Sequence, residues 1–246
     1  MYAGVDWAGK SWFAVFIDKN GNPEGNVYPT LWNLWRDRKE DLSQMLIDIP
    51  IGLCSASKRA CDVEAKKYVG SKQQSSVFYT PTRDAVYAKN IDQGKQEHES
   101  HGAGFGIQSQ AWSLVPRIRE VDTFLRECEK SEMVLETHPE ACFAALNGDP
   151  LDNSKKNDAG KLERLSLLEE AVEFDVKQFY TDAVENYRKP AYAPMIGSED
   201  DILDALVAAV TARASEPPYH SLPRKNQPDF DPKLGRNIEI LLPSQR

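Results

Sequence analysis

Apolar and polar positions alternate tightly over the first thirty residues. Residues 2–6 and 12–17 are rich in aromatic and β-branched side chains, which fit a pleated surface and predict two strands. Asn20-Gly21 supplies the left-handed positions of a tight hairpin turn, and a third strand is expected over 27–30. The spacing then changes to helical: Leu31, Leu34 and Trp35 line one face of a segment running over 31–42. A short apolar run over 45–49 reaches Asp48 before Pro50 and Gly52, as a strand followed by its exit loop does. The N-terminal quarter therefore reads strand, strand, strand, helix, strand.

Helical spacing dominates the middle of the chain. A helix is predicted over 57–69, a short strand over 76–79 ending at Pro81, and a polar helix from Thr82 and Asp84 to about Glu97. Gly102, Gly104 and Gly106 mark a loop over 98–106. Trp112, Leu114, Val115, Ile118, Val121 and Leu125 recur at helical intervals over 108–128. Another short strand is expected over 133–136, and Pro139 suits the first position of a helix through Leu146. Further helices are predicted over 159–171, 176–187 and 199–214, the last after a Pro and Gly loop at 190–197 and with Ser198 as candidate N-cap. The proline-rich tail ends in an apolar stretch, 238–242, expected to dock. With no compositional break, the chain reads as one domain over 1–246, with a helical insertion at about 82–128 and a tail at about 217–246.

Composition narrows the function classes. The 246 residues are 41% hydrophobic and 28% charged, as in an ordinary globular protein with enough apolar material for a full core. Thirty lysines and arginines against 38 aspartates and glutamates give a formal charge of −8, which excludes a uniformly basic nucleic-acid coat but not a local basic groove. No stretch approaches the roughly 18–20 apolar residues of a membrane span, and Asp6 interrupts the first apolar segment where a secretory leader would continue. Cys54, Cys61, Cys128 and Cys142 have no C-x-x-C spacing and lie in apolar contexts, so they read as reduced thiols. A cytoplasmic protein without membrane association is expected.

The candidate chemistry lies in carboxylates. Asp6 closes the first strand, Asp48 the fourth and Glu136 the fifth; Asp201 and Asp204 are three apart on the last helix and share a face. Ligand crevices form at strand ends of α/β sheets, so these groups can converge. Carboxylates brought within a few ångströms need protons or cations to compensate their charge. Oxygen-only ligands favour Mg2+ or Mn2+, and two such ions about 3.5–4 Å apart clamp the attacking and leaving oxygens of an in-line phosphoryl displacement. Two of these acids also have a plain structural reading: Ser198 with Asp201 forms an S-x-x-D helix start, and Glu136 suits a solvent-facing strand end, whereas Asp204, beyond the first turn, and Asp6, between Val5 and Trp7, are poorly explained that way.

The segment 200–212, DDILDALVAAVTA, resembles the last catalytic helix of RuvC-type Holliday-junction resolvases, which carries D-x-x-D-A-L. Together with GVDWAGK, IDIPIGL, KRACDVEAK, SVFYTPTR, QAWSLVPRIREVD, ETHPEACF and SKKNDAGKLER, it makes most of residues 3–212 similar to the domain of unknown function 429 family, whose members are predicted RNase H-fold nucleases. The resemblance implies an α/β fold: an RNase H-like five-stranded mixed sheet flanked by helices, with a helical insertion. It also implies that Asp6, Asp48, Asp201 and Asp204 occupy metal-ligand positions. Asp48 stands where resolvases usually carry glutamate, a shorter reach.

Other motifs compete with this reading. Residues 4–11, GVDWAGKS, match the P-loop pattern G-x-x-x-x-G-K-[ST], but a P-loop needs a strand before its first glycine and a helix after its Ser. Only three residues precede Gly4, and 12–17 reads as strand. Gly9 is expected instead to make a hairpin turn and leave room beside Asp6. Lys58, Arg59, Arg83, Lys155, Lys156 and Arg164 can hold phosphates if they line the carboxylate cleft, and are otherwise surface charges. Gln110 and Trp112 are expected as helix surface and core, with base stacking the alternative. His98 and His101 read as solvent-exposed, though their spacing allows one metal. His138 can assist proton transfer or cap a helix.

The expected function is divalent-metal-dependent hydrolysis of phosphodiester bonds in a nucleic acid, DNA or RNA, with Glu136 as a fifth ligand or an outer-sphere base. A nucleotide phosphotransferase needs a second lobe and an adenosine site. A metal-free scaffold that keeps the fold is the non-enzymatic alternative.

Overall fold

The computed structural model describes residues 1–189, 194–215, 219–224 and 227–244. Five strands form the central sheet: β1 (Tyr2–Trp7), β2 (Trp12–Ile17), β3 (Pro23–Tyr28), β4 (Gln44–Ile47) and β5 (Val134–Glu136), in the order β3-β2-β1-β4-β5. β1, β2 and β3 are an antiparallel meander, whereas β4 and β5 run parallel to β1, so the sheet is mixed. This is the strand order and direction of the expected RNase H-like α/β fold. α1 (Leu31–Arg38) connects β3 to β4 and is capped by Thr30, whose side chain accepts from the Asn33 N–H.

Between β4 and β5 the chain forms α2 (Ala60–Tyr68), α3 (Gly70–Gln73), α4 (Arg83–Val86), α5 (Ile91–Ser100) and α6 (Ser109–Glu127). After β5 come α7 (Pro139–Asn147), α8 (Asp158–Ala171), α9 (Val176–Ala183) with a π-turn over Val184–Arg188, and α10 (Asp200–Ala214). The tail adds two small ribbons: β6 (Ser221–Leu222) pairs with β9 (Ile240–Leu241), and β7 (Asp229–Asp231) with β8 (Arg236–Ile238). The apolar end docks as expected, with Ile238, Ile240, Leu241 and Leu242 all buried.

Period-two alternation sorts the core into layers. Ala3, Val5, Trp12, Ala14 and Phe16 pack on the side of α1 and α6, and Phe13, Val15 and Ile17 on the side of α7–α10. Gly4 faces α10 at closest approach: a Cβ there would lie 2.1 Å from both the Ala205 carbonyl oxygen and the Ala209 nitrogen. The missing side chain, matched by Ala205, Ala208 and Ala209, lets α10 lie directly on β1. Asp6, two residues on, is thereby aimed at the first turns of α10.

Several expected elements differ. The third strand begins at Pro23, because the turn at Gly21 (φ +88°) sets the register Ile17 to Pro23. As an edge strand it tolerates polar residues and a leading proline. Residues 76–79 form no strand: this stretch and its continuation bond to side chains instead, with Lys66 donating to the Val77 carbonyl, Thr80 N–H to Asp62 and Thr82 N–H to His98. The helix expected over 82–97 is two, because Asn90 caps a new start by accepting from the Gln93 N–H at 2.9 Å. The expected loops at 190–197 and around 217 lie partly outside the described residues. Among the described residues no helix is long and apolar enough to cross a membrane.

Candidate functional site

Four of the five expected acids meet at the C-terminal edge of the central strands. Asp6 lies near the end of β1, and Asp48 follows β4 directly, its N–H donating to the Val5 carbonyl at 3.0 Å. The parallel pairing Val5 to Ile47 therefore sets the two carboxylates on adjacent strands. Asp201 and Asp204 come from the start of α10. That start is tied to the β1–β2 hairpin: Gly197 N–H donates to the Ala8 carbonyl at 2.7 Å, and Ser11 Oγ to the Met195 carbonyl at 2.7 Å. Gly9, at φ +75°, makes the turn between them. Asp201 also accepts from the Ser198 N–H at 2.9 Å, so its helix-start role and its place beside the other acids coexist.

Each of the four holds its proton more tightly than usual. Burial pushes Asp6 well above the ordinary carboxylate range, and Asp48, Asp204 and Asp201 add to the rise by repulsion. Asp48 is raised to about 7, first by burial, with Lys155 opposing and Glu140 and Asp201 reinforcing. Asp201 and Asp204 are raised to about 6, again first by burial. One ammonium answers them. Lys155 Nζ lies 2.5 Å from Asp204 Oδ2 and 3.2 Å from Asp200 Oδ2. Burial pulls the proton affinity of Lys155 down, but Asp204, Asp200 and Asp6 outweigh it and keep the lysine charged. Asp204 Oδ1 is buried without a partner among the described residues. As they stand, no three acidic, histidine or cysteine side chains among the described residues converge as an assembled metal centre.

Lys155 is held from below. Arg164, fully buried, pairs with Glu140 through Nη2 at 2.9 and 2.6 Å and donates from Nη1 to the Asn153 carbonyl. Asn157 caps α8 by accepting from Gly160 N–H, and a Cβ at Gly160 would lie 2.1 Å from the Ser154 carbonyl oxygen. The loop carrying Lys155 is thus clamped onto α8. Lys155 was among six cations expected either to line the carboxylate cleft or to be surface charges; its ion pairs with Asp204 and Asp200 were not anticipated, and the signal available was the N-cap and glycine spacing N-D-A-G directly after Lys155-Lys156.

Glu136 belongs elsewhere. It accepts from Arg59 Nη1 at 2.8 Å, Arg59 Nη2 at 2.6 Å and the Ile51 N–H at 2.6 Å, while Arg59 also bonds Asp62. Burial raises the proton affinity of Glu136, and the guanidinium opposes it. These three buried residues form part of the wall of a cleft of about 460 Å³ that opens beside Asp48 and Lys155.

The remaining expectations resolve one by one. The GVDWAGKS segment is a hairpin followed by β2, with Lys10 exposed, so no helix follows the P-loop pattern. Lys58 stacks over Tyr79 at 4.0 Å and does not line the cleft beside Asp48, and Arg83 pairs with Asp122 and Asp231, so Arg83 is not free to take a phosphate as it stands. Lys156 lines the cleft beside Lys155. Gln110 is exposed at the cleft rim, and Trp112 packs against the core. His98 corrects the expectation of exposure: it is buried in α5, with Nε2 accepting from Thr82 N–H and Nδ1 bonded to the Phe105 carbonyl. Of the pair, His101 is the exposed one, 3.3 Å from Asp84. His138 caps α7, with Nδ1 accepting from Ala141 N–H and Nε2 facing the Ser76 carbonyl; burial lowers its proton affinity and keeps it neutral.

The chain matches, over residues 4–227, the model of a family described as "Protein of unknown function (DUF429)". It belongs to the DUF429 family. That match covers all four clustered aspartates together with Lys155, Glu136 and Arg59. No curated protein and no solved structure matches the chain.

Proposed function

We propose that this DUF429 protein is a divalent-metal-dependent hydrolase of phosphodiester bonds in nucleic acid, and that Asp6, Asp48, Asp201 and Asp204 hold the metal. The observation that carries the reading is the charge imbalance at the sheet edge. Four carboxylates with raised proton affinities, and Asp200 beside them, share one ammonium, and Asp204 keeps a buried oxygen without a partner. An all-oxygen donor set of this charge fits a hard cation such as Mg2+ or Mn2+. Such a cation, when bound, supplies Lewis acidity and lowers the pKa of water at a phosphoryl centre.

The chain's own residues supply the rest. Asp6 and Asp48 are fixed by the β1–β4 ladder, and Asp201 and Asp204 by the packing of α10 on Gly4, so the donors are held by rigid elements. Lys155 neutralises Asp204 and Asp200 while no cation is present, and is a cationic donor for a phosphate oxygen once a metal takes Asp204. The neutral His138 and the Arg59 network shape the adjoining cleft and stand outside proton transfer.

One observation favours a second reading. Because Lys155 is already bonded to Asp204, the protein can also be a metal-free scaffold whose acids are answered from within. Cleavage assays separate the two. Wild type with Mn2+ should hydrolyse at least one member of a DNA and RNA panel, and Asp6→Asn should abolish this while the protein remains folded. Metal-independent behaviour in both proteins, with no cleavage, supports the scaffold.

A further inference from the structure

We propose that the cleft beside Asp48 binds the nucleoside part of the substrate. The cleavable bond is then a nucleoside phosphodiester presented at an open strand end or in a small nucleotide, not one in the interior of a duplex. This rests on the hydrolase reading for the identity of the reaction, but the binding claim stands on the cleft itself.

Three features carry it. The cleft holds about 460 Å³, room for one nucleotide rather than a helix, and it reaches Asp48 and Lys155 at one end. Its walls combine apolar surface from Phe78 and Leu114 with polar edges, as a flat, apolar-faced, polar-edged base requires. Thr80 lies in this wall, almost wholly buried, and its Oγ1 has no hydrogen-bond partner among the described residues. A buried hydroxyl left unpaired is costly, and a small shift of the wall on binding would let a ligand's base or sugar edge satisfy it.

Charge points the same way. Among the described residues four cations line the cleft. Arg59 is committed to Asp62 and Glu136, and Lys72 holds Asp152 at the solvent-exposed rim, which leaves Lys156 and, once a metal takes Asp204, Lys155 at the carboxylate end. A protein that grips the middle of a duplex neutralises many phosphates with lysine and arginine. With net charge −8 and only these cations lining the cleft itself, the cleft is suited to one or two phosphates.

Titration calorimetry in Mn2+ tests the binding claim with thymidine 5′-monophosphate and inorganic phosphate as probes. The nucleotide should bind more tightly than phosphate. Filling the cleft with Gln110→Trp, at its exposed rim, or with Leu114→Trp should weaken nucleotide binding about tenfold or more, the scale of one lost base-stacking contact, and leave phosphate unchanged. Equal affinity for both probes, or indifference to both folded variants, overturns the proposal.

A substrate comparison tests the open-end claim. Single strands with free ends should be hydrolysed in preference to covalently closed duplex, with a log–log salt slope of about −1 to −2, as one or two phosphate contacts predict. A dinucleotide alongside a longer strand tells a small free diester from a strand end. Closed duplex cut as fast as open strands, with a slope of about −6 or steeper, overturns the proposal and leaves the hydrolase reading intact. Nucleotide binding sensitive to both variants, with no nucleic acid cleaved, supports the cleft assignment and removes the hydrolase reading instead.

Discussion

Two groups of buried acids lie at the same edge of the sheet, and the chain treats them in opposite ways. Asp62 and Glu136 share the guanidinium of Arg59; the other oxygen of Asp62 accepts from Thr80 N–H, and Glu136 Oε2 accepts from Ile51 N–H as well as from Arg59. Asp6, Asp48, Asp201 and Asp204 have the single ammonium of Lys155, already divided between Asp204 and Asp200. Burial of a carboxylate is therefore not what marks a site here; incomplete compensation is. The first group is built to hold Ile51–Gly52 and the 77–80 segment in place. The second, on the proposed reading, accepts positive charge.

The contrast breaks most visibly at Arg59. Replacing it by Met leaves two buried carboxylates without their counter-ion, so Arg59→Met should cost about 3–5 kcal/mol, the range for breaking a buried ion pair from one side. Urea unfolding should show this loss equally with and without Mn2+, since that network is not where metal is expected. A loss restored by metal would merge the two groups into one site.

The second effect is a pH dependence to which the cluster contributes most, with Glu136, itself raised to about 7 by burial, adding a smaller share. Asp48 is raised to about 7 and Asp201 and Asp204 to about 6, so the folded state binds protons that the unfolded chain releases near pH 4. The cluster's contribution to stability is therefore fullest at low pH and falls as pH rises from about 4 through 7, by a few kcal/mol, since a tenfold change in proton affinity corresponds to about 1.4 kcal/mol. Metal-free unfolding at pH 5 and pH 8 measures it. Asp201→Asn with Asp204→Asn should flatten much of the slope; an unchanged slope would place the excess charge elsewhere.

These comparisons also show what was readable from the sequence. Asp6 and Asp48 stand out because a charged residue ends an otherwise apolar strand, and Asp204 because it interrupts the apolar face of a helix beyond its first turn. The meander, the D-x-x-D helix and the docked tail were equally legible. Glu136 looked the same as Asp48 because its partner Arg59 is 77 residues away, and such pairing leaves no local pattern. Lys155 looked like a loop lysine, since its burial depends on Arg164 and Gly160 clamping its loop. The 76–79 segment has strand composition, but its neighbours satisfy it through side chains.

A smaller effect is expected at Gly4. Gly4→Ala forces α10 off β1, and overpacking of this kind costs about 1–3 kcal/mol. Because α10 carries Asp201 and Asp204, the thermal response to Mn2+ should shrink with stability. Full retention of that response would detach the helix packing from the site. The smallest effect is at Lys10, exposed past the hairpin turn. Lys10→Ala should change stability by no more than about 0.5 kcal/mol, as at other surface positions, and leave metal and nucleotide binding unchanged in titration calorimetry. Loss of nucleotide binding there would restore the P-loop reading.

The central claim is that the undercompensated acids form a metal site with Lys155 as its resident substitute. Anomalous diffraction from a crystal grown in Mn2+ tests it most directly. The expected result is manganese bound by Asp6 and Asp48 together with Asp201 or Asp204, with Lys155 Nζ displaced from Asp204. Lys155 still on Asp204, and no manganese among these carboxylates at saturating metal, would contradict it.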